Sequence, residues 1–146
     1  MKNSRARNFW SAVAGTAAIE FAILSVPFAG VTTAAFETAR AYWTLEAIQE
    51  SATQGARCIG IHTNSCYASG TYSASSTVAH VQNVAKSWGI DVPGNAITAT
   101  QSTSCGNVPG FAEIRISYPF SSVAGKLIPA LNNIPLSVSS CFPNNA

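Results

Sequence analysis

Charge is scarce in this chain. Only 10% of its 146 residues are Asp, Glu, Lys or Arg, against an average of about 25% for soluble domains. Disorder driven by charge is therefore excluded, the more so because 47% of the residues are hydrophobic. A formal net charge of +2 is too small for a dedicated nucleic-acid binder, which carries a basic face or stripe. Histidine is scarce as well. The two present, His62 and His80, stand in no Gly-x-Ser-x-Gly, His-Glu-x-x-His or glycine-rich phosphate loop. Asp91, His80 and one of many serines can be written as a triad, but in so serine-rich a chain that grouping has no specificity. The acids beyond Glu20 are too scattered to nominate a carboxylate pair. No cofactor is expected, and the chain is read as non-enzymatic. Its length admits one ordinary domain and argues against a two-domain enzyme.

The few charges present are unevenly placed. Lys2, Arg5 and Arg7 precede a stretch with no further basic residue until Arg40. Between them, Glu20 is the only ionisable group before Glu37. Thr16 to Phe36 is 21 residues. As a helix rising about 1.5 Å per residue, it covers about 30 Å, the thickness of a bilayer's hydrocarbon core. Pro27 and Gly30 are tolerated in such a helix, because neighbouring helices and local adjustment satisfy the freed backbone groups. The positive-inside rule leaves the N-terminus in the cytoplasm and sends the remainder across. A cleaved secretory signal is the competing reading, with Ala39-Arg40-Ala41 as its site, although its apolar region would be only about 7 to 15 residues. A carboxylate in the middle of an apolar span costs at least about 2.5 kcal/mol, so Glu20 reads as functional. The competing reading places Glu20 at the headgroups, with the span starting a few residues later.

The stretch Gly15-Thr16-Ala17-Ala18-Ile19-Glu20-Phe21-Ala22, after a short basic leader and before an apolar helix, resembles the N-terminus of type IV prepilin-like proteins. More closely, it resembles the TadE/TadG pseudopilins of the tight-adherence (Flp) pilus system. The resemblance implies cleavage after Gly15 by a prepilin peptidase of the membrane, with Thr16 as the new first residue and Glu20 fifth in the product. Glu20 and Phe21 become the residues of assembly and register. Removal of the leader leaves five basic residues against six acidic ones. A new α-amino group at Thr16, positive below a pKa of about 8, can neutralise the Glu20 carboxylate of a neighbouring subunit in a low-dielectric setting. Implied partners are the inner membrane, the peptidase, other pilin and pseudopilin subunits and the pilus assembly platform. The implied localisation is single-pass in a bacterial inner membrane, with a periplasmic C-terminal domain. Two other classes remain: a membrane-anchored periplasmic ligand-binding module with an uncleaved signal anchor, and a secreted hydrolase cleaved near Ala41.

Past Phe36 the pattern becomes amphipathic. Tyr42, Leu45, Ile48, Ala52, Ala56 and Ile59 recur at spacings of three and four, with Glu46, Glu50 and Arg57 opposite, predicting that residues 37–59 extend the spanning helix. Tyr42 and Trp43 fit the outer interface of a bilayer, where amphipathic aromatics concentrate. Residues 60–146 form the head. A Ser- and Gly-rich loop opens it, followed by a short helix over 78–89 with Thr77 as N-cap and Gly89 closing it. Asp91 to Gly94 is a turn. Strands are predicted over Ala96–Ser104, Phe111–Phe120 and Leu136–Phe142, with a proline-containing connection over Leu127–Pro135. The fold class is α+β: a long N-terminal helix, then a small domain with a short helix and a three-stranded antiparallel sheet.

All four cysteines (Cys58, Cys66, Cys105, Cys141) follow the span, in the compartment predicted to be oxidising. Of three possible connectivities, Cys58 with Cys66 and Cys105 with Cys141 is favoured: the first closes a local loop and the second joins strand ends. The alternative is a metal site at Cys58, His62 and Cys66. Structural zinc sites present tighter cysteine pairs, and no metal is assigned.

Overall fold

The computed structural model describes residues 4–126 and 133–144, with side chains placed over 15–125 and 133–144. Lys2 of the basic leader and residues 127–132 of the expected connection lie outside the described residues. The chain divides into two units, Met1–Ala39 and Arg40–Ala146. Helix α1, Ser4–Gly60, contributes to both.

Over residues 15–36 of the first unit, α1 is apolar on every side apart from Glu20. Ile19, Phe21, Ile23, Leu24, Val26, Phe28, Val31 and Phe36 are all exposed. The hydroxyls among them are turned inward on their own helix: Thr32, Thr33 and Thr38 donate to the carbonyls four residues back, and Ser25 donates to the Ala22 carbonyl. A helix that satisfies its polar groups internally is suited to a solvent that offers no hydrogen bonds.

The second unit is built on the remainder of α1, a β-ribbon of β1 (Tyr67–Ala68) and β2 (Thr71–Tyr72), helix α2 (Ala74–Ser87), and strands β3 (Ile97–Cys105), β4 (Val108–Phe120) and β5 (Ile134–Pro143). The sheet is antiparallel in the order β3-β4-β5. On β4, Ala112, Ile114 and Ile116 are buried while Arg115 and Ser117 are exposed, the alternation of a strand with one face on the core. Ile48, Ala52, Ala56 and Ile59 of α1 join Val81 and Ala85 of α2 over those strand residues. Fold class and layout therefore match the sequence expectation.

Several local expectations are corrected. The buried stripe of α1 does not include Tyr42, which is 65% exposed. Thr44, Ala47 and Ser51 take part instead. The two hydroxyls are buried at little cost because they donate to the Arg40 and Ala47 carbonyls. Helix α2 begins earlier than predicted. Its N-cap is Ser73, whose Oγ accepts from the Ser76 amide, while Thr77 is buried in the first turn with its hydroxyl on the Ser73 carbonyl. Gly89 does close the helix. At φ +79° it lets the Ile90 amide reach the Ala85 carbonyl and its own amide reach the Lys86 carbonyl.

The expected loop after Gly60 contains the β1–β2 ribbon, turned at Ser69 and Gly70 with φ of +51° and +79°. Strands β3 and β4 run on to a two-residue turn at Gly106 and Asn107, φ +58° and +67°, the dihedrals of a type I′ hairpin. The second strand, expected from Phe111, begins at Val108, and Pro109-Gly110 is absorbed within β4 where the pairing passes from Pro109 to Phe111.

Candidate processing and assembly site

Gly15, Thr16, Glu20 and Phe21 all lie on α1, where successive turns bring positions four apart to one face, so Thr16 and Glu20 share a side. All four are exposed. Among the described residues, a Cβ added at Gly15 would meet nothing within 4 Å. One turn further along, Phe21, Leu24, Ser25, Pro27, Phe28 and Val31 line an open apolar groove. Pro27 stands inside the helix and donates no backbone hydrogen bond. This helix is long and apolar enough to cross a membrane, with a mean hydropathy of 1.6 over its most apolar window and none of that window buried. Chemically the segment over residues 15–36 offers one carboxylate, Glu20, on an otherwise apolar rod.

In the second unit the cysteines are joined as Cys58–Cys66 and Cys105–Cys141, with Cα separations of 6.0 and 6.6 Å. The first ties the end of α1 to the residue just before β1, and the second links the first and third strands of the sheet. Cys58 and Cys66 are thus bonded to each other. His62, the third member of the metal reading, lies against the Tyr67 ring with centroids 4.5 Å apart. Among the described residues, no three His, Cys, Asp and Glu side chains gather as a metal site requires.

His80 and Asp91, written together in the paper triad, have different neighbours. Asp91 faces Lys86 at 4.0 Å, both well exposed. His80 lines an open cleft with Glu50, Gln54 and Arg57.

Sequence reasoning missed an aromatic cluster. Trp43 on α1 meets Trp88, the C-cap of α2, with ring centroids 5.2 Å apart, and its indole Nε1 donates to the Trp88 carbonyl at 3.3 Å. Arg40, one turn earlier on α1, places its guanidinium 5.6 Å from the centre of the Phe120 ring. The signals available were Trp43 just past the span and Trp88 at the end of an amphipathic helix, neither of which names its partner. Nearby on the chain, Tyr42 has its hydroxyl pKa raised by a hydrogen bond from it to Glu46 and by the charge of that carboxylate. Tyr72 is raised by burial, the first of its causes, outweighing the hydrogen bond with Thr77 that acts the other way.

Residues 15–57 match the model of a family described as TadE-like protein. The matched segment lies wholly within α1 and stops one residue before the first cysteine, so the resemblance rests on the helix and not on the sheet. No curated protein and no solved structure matches the chain.

Proposed function

We propose, from the TadE-like match of residues 15–57, that this chain is a minor pilin or pseudopilin. It takes part in assembling a tight-adherence pilus and has a structural, interacting role rather than a catalytic one. The observation that carries the reading is Gly15-Thr16 followed by Glu20 and Phe21 at the head of an exposed apolar helix. A prepilin peptidase on the cytoplasmic side cuts between Gly15 and Thr16. The helix then remains in the inner membrane with the Arg40–Ala146 unit in the periplasm, where its two disulfides are stable. Packing between apolar helices supplies contact with other subunits and with the assembly platform, and Glu20 sets their register. A carboxylate in lipid is tolerated when a cationic partner neutralises it, and the amine freed at Thr16 is such a partner.

Intact mass measurement on the protein purified from membranes of a host carrying the peptidase tests this. A new N-terminus at Thr16 is expected, and the same host without the peptidase retains Met1. An intact leader in both hosts would overturn the assignment in favour of an unprocessed anchor, and cleavage near Ala41 would make the chain a secreted protein.

A further inference from the structure

The largest apolar side chains of the second unit are not all in its core. Trp43 is 54% exposed and Tyr42 65% exposed, although the helix that carries them is one of the core's main walls from Thr44 onward. Val123, three residues beyond Phe120, is 63% exposed. The indole N–H of Trp43 is satisfied by the Trp88 carbonyl, so the ring is left outward without a buried polar atom in need of a partner. Such a residue is apolar in body and polar at one edge, the character that concentrates Trp and Tyr at the boundary between lipid tails and water. Arg40, one turn earlier on α1, holds its guanidinium against the Phe120 ring.

We propose that Trp43 and Trp88, with Tyr42 and Arg40, form a lipid-contact surface that seats the second unit on the headgroup layer of the bilayer crossed by residues 16–36. This rests on the membrane-anchor part of the preceding reading. The occupant follows from continuity of the chain. Trp43 comes seven residues after Phe36, so this part of the unit is tethered at the bilayer surface whichever way the rest turns. Trp88 and Phe120 lie 45 and 77 residues further along the chain than Trp43, yet Trp88 meets Trp43 and Phe120 meets Arg40. The fold therefore gathers aromatic groups where the sequence pattern alone placed only Tyr42 and Trp43.

The full chain carrying Trp10→Phe, so that Trp43 and Trp88 are the emitting indoles, is reconstituted in vesicles of phosphatidylcholine and phosphatidylglycerol. Lipid brominated near the top of the acyl chain is then compared with lipid brominated near its end. Emission shifted to shorter wavelength and quenched several-fold more by the shallow bromines is expected, with the quenched fraction falling in Trp43→Phe. Absence of lipid quenching, in protein that resists carbonate extraction from the same vesicles, would overturn the lipid contact while leaving the anchor standing. Emission protected from acrylamide only at high protein-to-lipid ratio would assign the surface to another subunit and also overturn it. Protein that fails to remain with the vesicles at all would sink both readings.

Discussion

Gly55 on α1 faces Val81 on α2 so closely that a Cβ at position 55 would stand 2.5 Å from Val81 Cγ2 and 3.1 Å from Ile114 Cγ1. Glycine in a helix interior ordinarily costs about 1 kcal/mol relative to alanine. Here that cost is outweighed by the approach of two helices and the central strand. Gly55→Ala is expected to destabilise the second unit by about 1 to 3 kcal/mol, the usual range for overpacking, despite its better helix propensity. Urea titration of the full chain in detergent, followed by tryptophan emission, measures it. Combining Gly55→Ala with Val81→Ala should cost less than the sum of the two single changes, because the second removes the atom that the first strikes.

How much of this was legible in the sequence depended on whether the signal was local. The apolar run, the basic leader and the two-residue alternation of Glu113, Ile114, Arg115 and Ile116 are periodic features that each segment carries by itself, and they gave the long helix and the central strand. The polar stripe members Thr44 and Ser51 were not legible. Their burial depends on hydroxyls bonding back to carbonyls one turn away, which apolar periodicity does not register. The N-cap was misplaced because several hydroxyl residues precede α2, and only the geometry distinguishes Ser73 from Thr77. The second strand was expected only from Phe111, yet it begins at Val108, with Gly110 at φ +88° accommodated where its register shifts. In the candidate site the order of residues was readable from the start, whereas the meeting of Trp43 with Trp88 depends on tertiary packing.

The two disulfides should differ in what they contribute. Their sequence separations are 36 for Cys105–Cys141 and 8 for Cys58–Cys66. If loop closure in the unfolded chain dominates, the longer ring contributes about 4 kcal/mol and the shorter about 2.5. Replacing Cys105 and Cys141 together by Ser should therefore lower the denaturation midpoint more than replacing Cys58 and Cys66. Alkylation of the unreduced protein should label no thiol, and labelling of all four would contradict the pairing.

Alkaline stability should register Tyr72. Burial raises its pKa above the ordinary value of 10.0. The folded state thus holds the phenolic proton more tightly than the unfolded state. Stability linked to this group is complete below the unfolded pKa and falls as pH rises through the folded one. Thermal melts should show a loss above about pH 10 that is smaller in Tyr72→Phe. Equal losses in both proteins would assign the alkaline transition to other groups. Tyr42 is a useful control, because its raised pKa comes from Glu46 at an exposed position and screening leaves it little weight in folding.

Glu20 provides the sharpest test of the assembly reading. It is an exposed carboxylate on the apolar part of α1, four residues after Thr16 and one before Phe21. Removing it should ease insertion rather than prevent it, since an ionised group within an apolar span carries a desolvation cost that grows towards the centre. Glu20→Ala is therefore expected to stay resistant to carbonate extraction at wild-type levels while subunit crosslinking and pilus formation fall. Glu20→Gln separates shape from charge. If neutralisation of a neighbour's freed amine is what counts, Gln should impair assembly nearly as much as Ala; if a hydrogen bond suffices, Gln should restore it. Pilus formation unaltered by either substitution, in cells where Thr16 is the mature N-terminus, would leave the processing site standing and remove the carboxylate from the account of register.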